Sequence, residues 1–249
     1  MRILCSNDDG IQAEGLAFLV EVCGKLGEVT CVAPDREQSA TSHSLTLARP
    51  LRPVRRGERA WQVDGTPTDS VLLGLGALAG DRPDFVVSGI NHGHNMGEDV
   101  LYSGTVAAAM EGLAFGIPGV AVSFAGTEHA LIRTYGDVLE RLLRQLLVIE
   151  RFPADTLLNV NLPPRPAEEV RGVRVTTLGK RIYSESLTKM KDPWGRDIWW
   201  IGGGQLSWSG REDSDFQAVE DGFISVTPLH VDITNYRLLE TVRAWDLRV

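Results

Sequence analysis

The segment Ile3-Leu4-Cys5-Ser6-Asn7-Asp8-Asp9-Gly10 decides how the chain is read: a short apolar run of strand character ends in two adjacent carboxylates and a glycine suited to a tight turn. Outward from it the same alternation repeats. Residues 12–26 carry a helical pattern, and residues 29–33 form a second apolar run stopped by Pro34. A helix over 68–79 is entered through Gly65-Thr66-Pro67, a third buried strand covers 85–88, and a small-residue helix over 105–115 is stopped by Gly116 and Pro118. Residues 120–124 and 157–160 supply two more strands around a long amphipathic helix at 128–150. Strands alternating with helices in this way predict βαβ units and a largely parallel α/β sheet.

Composition sets the outer bounds. The 249 residues, 43% hydrophobic and 23% charged, are enough for one large domain with a real core. A net charge of −8 argues against general affinity for a nucleic-acid polymer or an anionic membrane. Arg49, Arg52, Arg55, Arg56 and Arg59 cluster locally without reversing that balance. The longest apolar stretch, 71–79, is broken by Gly74 and Gly76 and falls well short of the roughly 18 residues of a membrane span. The N-terminus turns acidic before a signal-type apolar region is complete, so a cytoplasmic protein is expected. Cys5, Cys23 and Cys31 lack CxxC spacing and read as buried thiols.

After Pro163 the texture changes to Pro-Pro-Arg-Pro, a β-rich stretch at 173–178 and a Gly- and Trp-rich region. Five of the six tryptophans (Trp194, Trp199, Trp200, Trp208, Trp245) lie after residue 190. Two readings stand side by side: a hairpin arm that buries itself on a partner, or a β-extension folded over its own domain.

In an open parallel sheet, ligands gather outside the carboxyl ends of the strands. The residues there are Asn7-Asp8-Asp9-Gly10 after the first strand, Pro34-Asp35-Arg36-Glu37-Gln38-Ser39 after the second, and Ser88-Gly89-Ile90-Asn91-His92-Gly93-His94-Asn95-Met96-Gly97 after the third. Adjacent carboxylates repel each other unless a cation sits beside them. Carboxylate, hydroxyl and amide oxygens suit Mg²⁺ or Mn²⁺; alternatively, Asp8 and Asp9 cap the following helix. Ser103-Gly104-Thr105 leads into an Ala-rich helix, placing free N–H groups and two hydroxyls where a phosphate could bind, although Thr105 also suits an ordinary N-cap. His92 and His94 hint at zinc, but no third nitrogen or sulfur ligand has a recognisable spacing. Neither a GxxxxGK[ST] phosphate loop nor a GxSxG nucleophile elbow is present.

These segments, with Tyr102-Ser103-Gly104-Thr105-Val106, Glu111-Gly112 and Ser225-Val226-Thr227-Pro228-Leu229 plus Asp232, resemble the stationary-phase survival protein SurE family of metal-dependent 5′/3′-nucleotidases. The resemblance implies a doubly wound, Rossmann-like core over about 1–162 and 223–235. It also implies a C-terminal extension and arm over about 163–222 and 236–249, exchanged between subunits of a dimer or tetramer, all within a single domain spanning 1–249. It further implies one divalent cation per subunit on Asp8, Asp9, Ser39 and Asn91, and phosphate contacts from Asn95, Ser103, Gly104 and Thr105. Ala40 and Ala107 stand where the family often has glycine, and His92 and His94 occupy variable positions of the family loop. The expected reaction is hydrolysis of nucleoside 5′- and 3′-monophosphates, with short polyphosphate as a further substrate. Asp8, Asp9 and Asn95 would be catalytic, in a phosphoric monoester hydrolase of the acid-phosphatase-like kind. A nucleoside hydrolase and a non-catalytic nucleotide- or metal-binding regulator are the alternatives.

Overall fold

The computed structural model describes residues 1–148, 152, 155–182, 187–201, 207–245 and 247–248. In chain order its first half comprises β1 (Arg2–Ser6), α1 (Glu14–Gly24), β2 (Glu28–Pro34), β3 (Pro53–Gly57), β4 (Ala60–Val63), α2 (Pro67–Leu73), β5 (Phe85–His92), α3 (Gly104–Ala114), β6 (Gly119–Phe124) and α4 (Gly136–Leu146). The remainder comprises β7 (Thr156–Leu162), β8 (Val173–Val175), β9 (Lys180–Ile182), β10 (Leu187–Lys191), β11 (Asp197–Ile201), β12 (Ser207–Ser209), α5 (Asp215–Glu220), β13 (Ile224–His230) and α6 (Leu239–Arg243). Nine strands form one sheet in the order β3-β4-β2-β1-β5-β6-β7-β13-β8. Its centre, from β4 through β7, is parallel, and β13 enters antiparallel to β7.

Alternate residues of the central strands face opposite layers. Ile3 and Cys5 join Leu16, Leu19 and Val22 of α1 and Leu139 and Leu143 of α4 in one core, whereas Leu4 meets Val71 of α2 and Ala108 of α3 in another. Helices therefore cover both faces of the sheet, the doubly wound arrangement. Small residues let the layers close: a Cβ on Gly15 would lie 2.2 Å from the Ile90 carbonyl oxygen. From β1 the chain builds outward to β2 and β4, then returns to lay β5 on the other side of β1. That reversal opens a crevice at the carboxyl ends of β1 and β5.

Local chemistry sets the helix starts. Thr66 and Asp69 form a reciprocal capping box ahead of Pro67, and the Ser103 hydroxyl accepts the Val106 N–H to cap α3. Where the structure departs from expectation, a physical reason is visible. The helix expected at 68–79 is α-helical only to Leu73 and continues as a π-helical turn over Gly74–Leu78. The span 128–150 divides into a 3-10 segment, His129–Tyr135, and α4; its last two residues lie outside the described set. The division falls beside buried Tyr135, whose hydroxyl donates to the carbonyls of Pro163 and Arg165. The β3–β4 hairpin was not anticipated, because every residue of β3 is exposed and an edge strand of that kind shows no apolar alternation. The third strand reaches His92 rather than Ser88, so the glycine-rich motif begins inside the sheet.

In the C-terminal extension, the reading of a β-extension folded over its own domain is met at one tryptophan. Trp208 of β12 stacks on Phe216 of α5 with ring centroids 3.4 Å apart, so that tryptophan folds onto its own domain. The β10–β11 hairpin pairs with itself and leaves all its strand residues exposed. No helix among the described residues is long and apolar enough to cross a membrane.

Candidate active site at the switch point

The turn after β1 is locked by its own side chain: Asn7 Oδ1 accepts the Gly10 N–H and Asn7 Nδ2 donates to the Gly10 carbonyl, while Gly10 adopts φ +98°. Asp8 is thereby held in the crevice, buried. Thr105 Oγ1 donates to its Oδ1 at 2.5 Å, and the Gln38 N–H donates to its backbone carbonyl at 2.7 Å. Burial pushes the Asp8 carboxyl up to about 6; the Thr105 hydrogen bond opposes this and the Asp9 charge adds to it. Asp9 is also raised by burial, against the pull of the His92 ring and of the His92 N–H that donates to its Oδ2 at 3.3 Å. Neither acid is a helix cap, since α1 begins after Ala13 with no side-chain cap.

Asp8, Ser39, Asn91, Asn95 and Ser103 share the lining of one cavity of about 670 Å³. Asp9, Gly104 and Thr105 lie outside its lining. Ser39 is exposed and donates its hydroxyl to Glu37 at 2.6 Å. Asn91 Nδ2 donates to the Gly93 carbonyl, which leaves the amide oxygen as the free end among the described residues. Asn95 is clamped through its backbone: its N–H donates to Asn161 Oδ1, and its carbonyl accepts from both Asn159 and Asn161. Its side chain donates to Ser123 Oγ at 2.8 Å. Ser103 presents the first turn of α3 to the cavity, whereas Thr105 is fully buried and turned to Asp8. Ser103, not Thr105, is the N-cap.

The same lining holds residues that sequence reasoning passed over. Asp99 and Arg181 line the cavity with His94. Arg181 Nη1 lies 2.6 Å from Asp99 Oδ1, and His94 Nε2 lies 3.6 Å from Asp99 Oδ2. Burial opposes ionisation of Asp99, but the facing His94 ring and the hydrogen-bonded Arg181 guanidinium outweigh it and hold the carboxyl below its ordinary range. Arg181 is far from the strand-end motifs in sequence, and only β9 brings it here. The polar residues inside otherwise apolar β6 and β7, Ser123, Asn159 and Asn161, were the available signal for the Asn95 clamp.

The donor chemistry fits a hard divalent cation. Two adjacent carboxylates, Asp8 buried and Asp9 half-buried, form no ion pair with Lys or Arg among the described residues, and the Ser39 hydroxyl and Asn91 amide share the cavity lining with Asp8. Among the described residues no group of three or more His, Cys, Asp or Glu is placed to hold a metal; His92 instead stacks on His129 at 4.0 Å. Two carboxylates with neutral oxygens are thus the set this crevice offers.

Fold and site together define a doubly wound α/β protein with an acidic, oxygen-rich ligand cavity at its switch point. The family described as Survival protein SurE matches residues 3–185. A protein of Gemmatimonas aurantiaca named 5′-nucleotidase SurE is 64% identical over 248 residues, covering 98% of each chain. One of the same name from Geotalea uraniireducens is 49% identical, covering 99% of this chain and 100% of its own. The crystal structure of the SurE protein from Aquifex aeolicus superposes with a TM-score of 0.88 at 42% identity, over 98% of this chain and 99% of that one. The chain belongs to the SurE family.

Proposed function

We propose that this protein is a metal-dependent nucleotidase, a phosphomonoesterase that converts nucleoside 5′- and 3′-monophosphates, and short polyphosphate, by hydrolysis. The observation that carries the reading is one cavity at the switch point that gathers Asp8, Ser39, Asn91, Asn95 and Ser103 in a chain whose relatives are named 5′-nucleotidase SurE. Asp8, Asp9, Ser39 and Asn91 would hold one Mg²⁺ or Mn²⁺ per subunit, which would supply Lewis-acid polarisation of a phosphoryl oxygen. Thr105 orients Asp8 through its hydroxyl. The Asn95 side chain and the amides at Ser103, Gly104 and Thr105 stabilise charge spread over the phosphoryl oxygens. The clamp from Asn159 and Asn161 fixes Asn95 before substrate arrives.

The same reading places the enzyme in the cytoplasm, as one α/β unit assembled into dimers or tetramers through its C-terminal arm. The test is phosphate release from AMP and GMP with Mn²⁺ or Mg²⁺, against the same reaction in EDTA. Cation-dependent release that Asp8→Asn abolishes is the expected result. Release of free base and ribose from a nucleoside, or nucleotide binding without turnover, would overturn the assignment.

A further inference from the structure

Part of the lining of the cavity that holds Asp8, Asn95 and Ser103 is built around an imidazole. His94 lies edge-on to Trp208 and to Phe216, with ring centroids at 5.4 Å and 6.2 Å, so the ring is held on its apolar sides. Its Nε2 faces Asp99 at 3.6 Å, and Asp99 is fixed from its other oxygen by Arg181. The Arg181 backbone N–H donates to Glu98 Oε2 at 2.7 Å, anchoring β9 to the same turn. Beneath it, buried Asp215 accepts the N–H groups of Gly97 and Gly179, tying the turn that separates His94 from Asp99 to the extension. All three side chains are mostly buried yet line the cavity. An imidazole oriented by a carboxylate beside a substrate cavity is the arrangement of general acid catalysis. At 3.6 Å the His94–Asp99 pair is just beyond hydrogen-bond length, and catalytic contacts of this kind commonly close only when substrate binds.

The geometry points to His94 as the catalytic acid for the departing nucleoside, with Asp99 and Arg181 as its positioning residues. This rests on the nucleotidase reading above. Water attacks phosphorus and forms the new P–O bond, the ester P–O bond to the nucleoside breaks, and the proton on the His94 imidazolium passes to the departing oxygen. The attacking water loses its proton to solvent, and His94 is reprotonated from solvent, so the sum is ester plus water to alcohol plus phosphate.

A leaving group that departs as a stable anion has little use for that proton, which supplies the test. His94→Asn and Asp99→Asn are compared with the unaltered enzyme on AMP and on 4-nitrophenyl phosphate, at equal metal loading and with melting temperatures recorded. His94→Asn is expected to lower kcat on AMP about 100-fold, with a loss on 4-nitrophenyl phosphate at least about tenfold smaller. Asp99→Asn should show the same split at smaller size. Equal losses on both esters, or no loss on AMP, overturn the role. Should His94→Asn melt lower, His94→Gln, which keeps a polar group of similar reach, decides by the same ratio. If the unaltered enzyme releases no phosphate from AMP, the nucleotidase reading itself fails, an outcome separate from an insensitive ratio.

Discussion

Asp8 has to be ionised to hold a cation, yet burial raises its carboxyl to about 6. Between about pH 4 and 6 the folded, metal-free protein therefore keeps a proton that the unfolded chain has released. Its stability should fall as pH rises through that window, by an amount on the order of 3 kcal/mol, and level off above it. A bound cation needs the ionised form, so apparent affinity should weaken up to about tenfold per pH unit below 6. Melting curves from pH 4.5 to 8, in EDTA and in Mn²⁺, check both signs; Asp8→Asn should flatten much of the EDTA slope, with Asp9 and Asp215, also raised by burial, supplying the remainder, and an unchanged slope would assign it elsewhere. Ala40, beside Ser39, raises a second point at this scale. It sits at φ +57°, a left-handed conformation that costs an L-residue roughly 1–2 kcal/mol. Glycine removes that strain but adds about 0.5–1 kcal/mol of unfolded-state entropy. Ala40→Gly should therefore raise stability by about 0.5–1 kcal/mol, seen as a melting temperature higher by roughly 1–4 °C.

At the scale of elements, the start of α3 joins the helix cap to the acidic pair. A Cβ on Gly104 would lie 2.7 Å from Asp8 Cβ and 3.1 Å from Pro67 Cγ, so Gly104→Ala must push the Asp8 carboxylate out of line with Thr105. Phosphate release should drop by an order of magnitude or more while the fold survives. Ser103→Ala removes the cap that the Val106 N–H needs and should cost about 1 kcal/mol of stability by denaturant titration, along with part of the phosphate affinity. Equal stability losses in the two variants would contradict this division of labour. The elements themselves were legible where burial writes a pattern. The runs at Ile3-Leu4-Cys5 and Phe85-Val86-Val87 are buried on both faces and read as strands; β3, exposed throughout, left no such trace. The acidic pair and the Ser103-Gly104-Thr105 segment were legible because β1 and β5 end, and α3 begins, in polar residues at one sheet edge, although the cap proved to be Ser103 rather than Thr105. Asp99, Arg181 and Asp215 were not, because their partners lie about 36 to 118 residues away and local periodicity carries no information about them. Asp215 even imitates a helix cap, a role that Ser214 performs.

For the whole molecule, the extension carries much of the exposed large apolar surface among the described residues. Among the described residues the β10–β11 hairpin pairs only with itself, and a lone two-stranded hairpin is marginal in water. It leaves Trp194 77%, Trp200 63% and Ile201 88% exposed, and Ile233 beyond β13 reaches 95%. Monomeric proteins seldom leave so much large apolar surface on one projecting element, and aromatic anchors of this kind are what interface centres contain. Ile201 also lines the cavity, which couples the arm's placement to the site. The protein is therefore expected to sediment as a dimer or tetramer at micromolar concentration. Because the buried surface is apolar, the assembly should persist in about 1 M salt, where charge pairing between surfaces is screened. Trp199→Ser combined with Trp200→Ser should shift the population toward smaller species and raise KM for nucleotide more than it lowers kcat, since the cavity loses a wall while Asp8, Asn95 and Ser103 stay in place. Sedimentation velocity and steady-state kinetics on the same samples measure both effects, and an unaltered protein that runs as a monomer would remove the arm from the interface.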